Sequence, residues 1–437
     1  MRIRLVLGWL LVLSLVAAIG YAQQPPARTL SLAEAIDIAR RNSPDYRAVA
    51  NDRWVSGIRS TSSLLQLVVP SADLSASQFR SAAGQRSLGT TVFTQPAYHG
   101  TAWSLDFGLQ LSGRTFANRG LARAMARATD EDISAASITL ETQVVQSYVL
   151  LAAAQAQATL AEHSLERVNE NLNLAQARYQ VGQGTLIDVR RAEVDKGTAE
   201  VTLLRARQNV DNTVLQLFQV LGVPAPEPLA VQLTDSFPVV APPWNQDSLV
   251  TLALRENPVL RARRARVQSA SWNRRAAYSE FLPSLRFNAG YGRTSYTPSG
   301  DSTVKTTNPW NYQIGVSIPL FEPLSRNVAV QQARADEDDA RQAVRSYELL
   351  VQATVVAAFH TVTSDFQAIA VQQHNRQAAG EALDLAQQRY RVGSGNYLEL
   401  LDARLTADQA DNTYITAVYD YHRAIASLEN AVGRRLR

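Results

Sequence analysis

The stretch ARYQVGQGTLIDVRRAE, Ala177 to Glu193, returns as QRYRVGSGNYLELLDAR, Gln388 to Arg404. Tyr179, Val181, Gly182, Gly184 and Ala192 reappear as Tyr390, Val392, Gly393, Gly395 and Ala403 at one constant shift, and Gly222 reappears as Gly433 at the same shift. A single internal repeat of this length implies two large structural copies rather than a solenoid of many short units. Leu165, Val168, Leu172, Ala175 and Tyr179 keep the three-and-four spacing of a coiled-coil seam, so a helix arrives at the first motif. The two glycines supply the positive backbone dihedrals that end a helix cheaply, and Thr185 with Asp188, or Asn396 with Glu399, reads as a capping box opening the next helix. Each motif is therefore a tight helical hairpin tip.

Outward from the tips the helices are long. The spacing predicts helices over about 121–179 and 324–390, the second roughly 100 Å in length, with Val355, Phe359, Val362, Phe366, Ile369 and Gln373 as a seam. Shorter helices return, carrying Val210, Val214, Leu217 and Leu221 in one copy and Ile415, Val418, His422, Ile425, Leu428 and Val432 in the other. Each copy opens with a short helix stopped before Pro44 or Pro258, then a longer one closed by Pro70 or Pro283.

Between the opening helices and the long ones the hydrophobic period changes to two. Trp103, Leu105, Phe107, Leu109 and Leu111 alternate with polar residues, as do Leu285, Phe287, Ala289 and Tyr291, and Tyr312, Ile314, Val316, Ile318 and Leu320. With a weaker pattern at 72–79 this gives four strands, two per copy, of about ten residues, the length a tilted transmembrane strand needs. Stretches 80–101 and 293–309, rich in Gly, Ser and Thr, read as loops. Trp103 and Trp310 mark one end of the strands and Phe116 and Phe321 the other, as at two bilayer interfaces. Two hairpins close no barrel alone, so the strands require partners from other copies.

The net charge of +4 over 437 residues gives no support for nucleic-acid binding. Arg2 and Arg4, the apolar run 5–19 and Gly20-Tyr21-Ala22 read as a secretory signal peptide, and no later stretch reads as a membrane-spanning helix. There is no cysteine, hence no disulfide and no site for an N-terminal lipid, so the barrel alone is expected to hold the chain. The expected organisation is a signal peptide at 1–22, a first repeat at 23–222, a proline-rich linker at 223–246 that packs little, and a second repeat at 247–437. The five histidines form no close metal-ligand pair and no catalytic motif is present, so neither an enzyme nor a cofactor is expected.

Signal peptide, duplicated helix–strand–strand–helix units and the paired YxVGxG tips together resemble the TolC family of outer-membrane efflux and secretion ducts. The resemblance implies a mixed α and β membrane protein: a homotrimer with four strands per chain in a twelve-stranded barrel, and periplasmic coiled-coil helices forming an α-barrel. It implies an outer-membrane location among lipid and extending into the periplasm. The tips, Tyr179, Val181, Gly182 and Gly184 with Tyr390, Val392, Gly393 and Gly395, would meet a membrane-fusion adaptor and an inner-membrane pump. The function implied is a passive exit duct gated at the tips; a periplasm-spanning structural or adhesive coiled coil with a small barrel anchor is the alternative.

By the same resemblance the acidic residues at the entrance are Glu399 and Asp402. They lie three apart and share a helix face. In a trimer they would form two rings of carboxylates, each pair about 6 Å apart repelling by roughly 0.7 to 3 kcal/mol, which reads as a cation-selective gate. Asp188 is the counterpart in the first tip, and both Asp188 and Glu399 also suit simple capping. Relatives lock the tip with a basic residue where this chain has Gly395, leaving Arg190, Arg191, Arg391 and Arg404 as substitutes. The basic run from Arg261 to Arg275 is expected to pair across helices with the acidic run Asp336 to Asp339.

Overall fold

The computed structural model describes residues 28–299, 303–320 and 324–436. The expected signal peptide and Phe321 lie outside the described residues. The first copy comprises β1 (Arg28–Leu30), α1 (Leu32–Asn42), α2 (Pro44–Val68), β2 (Ser71–Ser81), β3 (Gly84–Leu88), β4 (Thr91–Gln95), β5 (Tyr98–Leu111), α3 (Gly113–Gln180) and α4 (Leu186–Leu221). After β6 (Val231–Leu233) the second copy comprises α5 (Gln246–Glu256), α6 (Pro258–Ser279), β7 (Ser284–Pro298), β8 (Lys305–Thr307), β9 (Trp310–Ser317), α7 (Ser325–Arg391) and α8 (Tyr397–Val432).

Strands β2, β5, β7 and β9 form one antiparallel ribbon in that order, and β8 extends the far end of β7. From Ser104 to Leu111 its register sorts the two faces by polarity. Leu74, Leu105, Tyr291 and Trp310 stand in one row, and Leu109, Phe287 and Ile314 in another on the same face. The rows between them face the other way: Asp73, Asp106, Gly290 and Asn311, then Ser71, Gly108, Asn288 and Gln313. Gly290 is a packing requirement of the polar face, since a Cβ there would lie 2.6 Å from Asp106 Oδ1 and 2.8 Å from Asn311 Oδ1.

Several features depart from the sequence expectations. The Gly/Ser/Thr stretches are not simple loops: β3 and β4 form a hairpin within 80–101, and β5 and β7 run to 14 and 15 residues. Trp103 therefore lies inside β5, yet its ring meets Tyr291 edge-on at 5.7 Å, and the neighbouring Trp310 and Tyr312 stack at 5.8 Å, so an aromatic band still forms. Helix α3 begins at Gly113, eight residues before its apolar period is readable, capped by the Ser112 hydroxyl accepting from Thr115 N. Its glycines are there for neighbours: a Cβ on Gly120 would sit 2.3 Å from the Trp272 indole.

The linker also packs. β6 pairs in parallel with β1, Val231 is buried, and Leu233 and Phe237 lie against a core built by Leu140, Val144, Tyr148, Leu217 and Leu221. Asp235 accepts from Leu32 N at 2.7 Å and from the Tyr148 hydroxyl at 2.8 Å. Burial pushes the Tyr148 phenol up to about 12. Finally, α7 does contain a stretch apolar and long enough to cross a bilayer. Its Val351, Val355, Val362 and Ile369 form the seam with Tyr421, Ile425, Leu428 and Val432 of α8.

The basic run meets two acidic runs rather than one, because α6 packs against both α3 and α7. Arg274 bonds Glu337 at 2.8 Å as expected, but Arg261 and Arg266 turn to Glu131 and Asp132 on α3, and Arg264 to Glu348.

Gly222 and Gly433 close the return helices with φ of 73° and 87°. Each abuts the joint between its own copy's two opening helices: an added Cβ would lie 2.6 Å from Asn42 O, or 2.6 Å from Pro258 Cδ. Gly222→Ala and Gly433→Ala are each expected to cost about 2 kcal/mol or more through the left-handed backbone and the clash, seen as a lowered Tm. Gly57→Ala, in the open on α2 with nothing within 4 Å, is expected to stabilise by roughly 0.5 kcal/mol.

Candidate functional site

The two tips are built alike. The chain leaves α3 through Gly182 at φ 78° and leaves α7 through Gly393 at φ 83°. Backbone N–H groups close each turn onto the helix just ended, Gln183 N to Arg178 O at 2.8 Å and Ser394 N to Arg389 O at 2.9 Å. Only the first glycine of each pair has positive φ; Gly184 and Gly395 are needed for close approach, a Cβ lying 3.2 Å from Tyr179 N or 3.2 Å from Tyr390 N. At the first tip Thr185 and Asp188 form the complete capping box. At the second, Asn396 accepts from Glu399 N at 2.8 Å, but the Glu399 carboxylate turns away and takes Arg389 at 2.6 Å. Asp402 is exposed one turn on.

The equivalent tyrosines are placed oppositely. Tyr390 is 2% exposed and meets Tyr397 edge-on at 5.8 Å, whereas Tyr179 is 46% exposed. Val181 and Val392 both project, at 69% and 77% exposure. Arg178 joins the tips: its guanidinium lies 4.5 Å over the Tyr390 ring and donates to Tyr390 O, while a second nitrogen donates to Gln183 O at 3.1 Å. Burial raises the Tyr390 phenol, with Arg178 opposing and Asp188 adding to the effect. Of the residues considered as locks, Arg190 pairs only with Glu193 on its own helix and Arg404 lies further in. Arg178, which bonds across to the second tip, and Arg389, which bonds Glu399 within its own, occupy equivalent positions in the repeat; their constancy in both copies was the available signal.

Two turns inward, Arg404 crosses between helical pairs. Its side chain is 5% exposed and bonds Asp195 of α4 at 2.5 Å and Asp408 at 3.0 Å, while Asp408 also takes Arg167 of α3 at 2.7 Å and the Ser164 hydroxyl at 2.8 Å. The Tyr397 hydroxyl faces Asp195. This buried clasp ties α8 to both α3 and α4. Burial pushes the Asp195 carboxyl above the usual range, Arg404 opposes that shift, and Asp408 adds to it. Tyr397 is raised for the same leading reason.

Residues 58–223 and 249–434, most of both copies, match the family described as outer membrane efflux protein. The chain belongs to that family. The family is one of transport channels rather than enzymes, and its location is the outer membrane, extending into the periplasm. Among curated relatives, the outer membrane efflux protein BepC of Brucella suis is 26% identical over 67% of this chain and 62% of its own length. The match thus spans less than two thirds of that relative. The outer membrane protein TolC of Vibrio cholerae is 24% identical over 92% of this chain and 90% of its own. A solved structure of the outer-membrane channel OprN shares the fold at a TM-score of 0.77 and 20% identity, covering 92% of this chain and 90% of that one.

Within this family member, Arg404→Ala would strand Asp195 in a buried setting and is expected to cost about 3 to 5 kcal/mol, against less than about 1 kcal/mol for Arg190→Ala at an exposed pair; thermal unfolding distinguishes them. The pH dependence has a definite sign. A carboxyl raised in the folded chain contributes stability that is complete below its ordinary value and lost as pH rises through the raised one. Acidification toward the carboxylate range is therefore expected to cost this clasp nothing, and Asp195→Asn to reduce the loss of stability at higher pH, read as Tm against pH.

Proposed function

We propose that the chain is the outer-membrane channel of a tripartite efflux or type I secretion system, a passive duct without chemistry of its own. The observation that carries this reading is the two-faced ribbon, apolar on one face and lined on the other by Asp73, Asp106, Asn288, Asn311 and Gln313. An apolar exterior with a polar interior is the arrangement a wet transmembrane barrel requires. The ribbon's outer strands, β2 and β9, each pair on one side alone, so closure takes further copies. Three copies give the twelve strands of the expected homotrimer. The stripe Trp54, Ile58 and Leu65 on α2, exposed by 77%, 65% and 50%, supports the same assembly, since it finds no apolar cover among the described residues.

The projecting valines and glycines of the tips are the surface for a periplasmic adaptor and, behind it, an inner-membrane pump. Arg178, holding Tyr390, and the Arg404 clasp keep the two helical pairs together at that end, which makes them the fastening of the closed gate. At the entrance Asp402 stands open while Arg389 offsets the charge of Glu399. Asp188 is committed to its capping box. The cation preference of the gate then rests chiefly on Asp402, with Glu399 joining it when Arg389 lets go.

Ion conductance of the full-length protein in a planar bilayer tests both parts. Wild type is expected to pass small, cation-selective currents, Glu399→Ala with Asp402→Ala to lose selectivity, and Arg389→Ala to increase it by freeing Glu399. No current from a folded trimer would refute the duct, and unchanged selectivity in the double variant would return both carboxylates to capping and solvation.

A further inference from the structure

Where the ribbon gives way to helices, charge is layered by sign. Within about twelve residues of the ribbon, roughly 18 Å along a helix, α2, α3, α6 and α7 carry arginines but no carboxylate among the described residues; Glu280 stands in the turn after α6. The acidic runs Asp130 to Asp132 and Asp336 to Asp339 each begin 19 residues from the ribbon's strands. Glu280 is taken by Arg114. Arg119, Arg123 and Arg275 have no ion pair among the described residues, and the first two lie one turn apart, where like charges repel each other.

These arginines share faces with exposed apolar residues at the ribbon's edge. On α3, Phe116 is 59% exposed, and Arg119 and Arg123 follow it three and seven residues on, along the same side. On α6 and the turn that follows it the order runs backwards in sequence but identically in space. Leu282 and Tyr278 are 56% and 40% exposed, and Arg275 lies one turn deeper, its guanidinium 4.5 Å over the Trp272 ring. From α7, Arg326 and Arg334 approach the rings of Phe281 and Tyr278 at 6.0 Å and 5.4 Å. Apolar and aromatic groups at one level, with guanidinium groups one turn further along the same faces, match the boundary between acyl chains and phosphates.

We propose that this collar binds anionic phospholipid headgroups of the leaflet on the helix-bearing side, with Arg119, Arg123 and Arg275 donating to phosphate. The inference rests on the reading of the ribbon as membrane-spanning. Phe116, Tyr278 and Leu282 sit at the acyl boundary, and the planar guanidinium forks supply paired donors to phosphate oxygens. The bound lipid relieves the repulsion between Arg119 and Arg123 and fixes how deep the barrel sits. The acidic layer below sets the lower limit of contact by repelling the same headgroups.

The test is lipid retention by the delipidated full-length trimer, incubated with equal phosphatidylglycerol and phosphatidylcholine and read by native mass spectrometry. Wild type is expected to retain phosphatidylglycerol preferentially, by a factor of about five for each engaged arginine. The triple variant Arg119→Gln/Arg123→Gln/Arg275→Gln should lose that preference, whereas Arg190→Gln/Arg205→Gln/Arg207→Gln, far from the collar, should keep it. If the triple variant fails to assemble, Arg119→Gln alone should lose part of the preference and Arg119→Lys less. Equal retention of both lipids by wild type would overturn the proposal, as would a preference surviving the collar substitutions. Altered conductance with unaltered lipid preference would also overturn it, placing the arginines on the water-filled side. Conductance from the same wild-type preparation reports separately on the channel reading: a folded trimer without current would count against the duct, leaving the lipid result to stand or fall by itself.

Discussion

A four-stranded ribbon with one apolar face and two open edges cannot be satisfied by the chain that makes it. Its backbone donors at the edges need partners, and its Leu, Phe, Tyr, Ile and Trp side chains need a surrounding that is not water. Closure with other copies inside a membrane meets both demands at once. The remaining architecture follows from that closure. Helices α2, α3, α6 and α7 leave the ribbon side by side, and each long helix pairs with its own return helix, α3 with α4 and α7 with α8, through narrow apolar seams. Under the proposed assembly, surfaces that look unfinished in one chain, such as the Trp54 stripe, are those that other chains cover.

The two copies are equal in sequence pattern but unequal in role. Tyr390 is buried beneath Arg178, whereas Tyr179 is open. One tip therefore receives the cross-link and the other provides it. A duplicated chain gains from this difference, because two identical tips would have no reason to prefer one relative position. The Arg404 clasp repeats the asymmetry further in: its arginine is on α8, and the equivalent place on α4 carries Glu193, already paired with Arg190.

Much of this was legible in the residues. Seams, tips, strand alternation and duplication all rest on periodicities that local geometry imposes, so Val355, Leu172 and Gly182 could be read directly. What could not be read depends on residues distant in sequence. Helix α3 was expected only from about residue 121, and the Trp272 ring against which Gly120 packs comes 152 residues later in the chain. The six prolines of the linker hid Val231, Leu233 and Phe237, whose packing only the adjacent core reveals. The acidic partner of each arginine was decided by which helix lies beside α6, which no spacing along one segment records. At the tips the helical hairpins were legible, but Arg178 was missed and Arg404 was only one of four basic candidates, since each acts through contacts between copies.

Gly222 and Gly433 carry a consequence for how such a chain could arise. Each one presses the end of its copy's last helix against the joint between that copy's first two helices. Start and finish of each half are thus neighbours in space. A unit of this kind can be joined to a second one head to tail by a short bridge, with no path to reroute and no core to open. Doubling the gene is then an operation the fold already permits, and the paired glycines are the hinge pins on which the two leaves were hung.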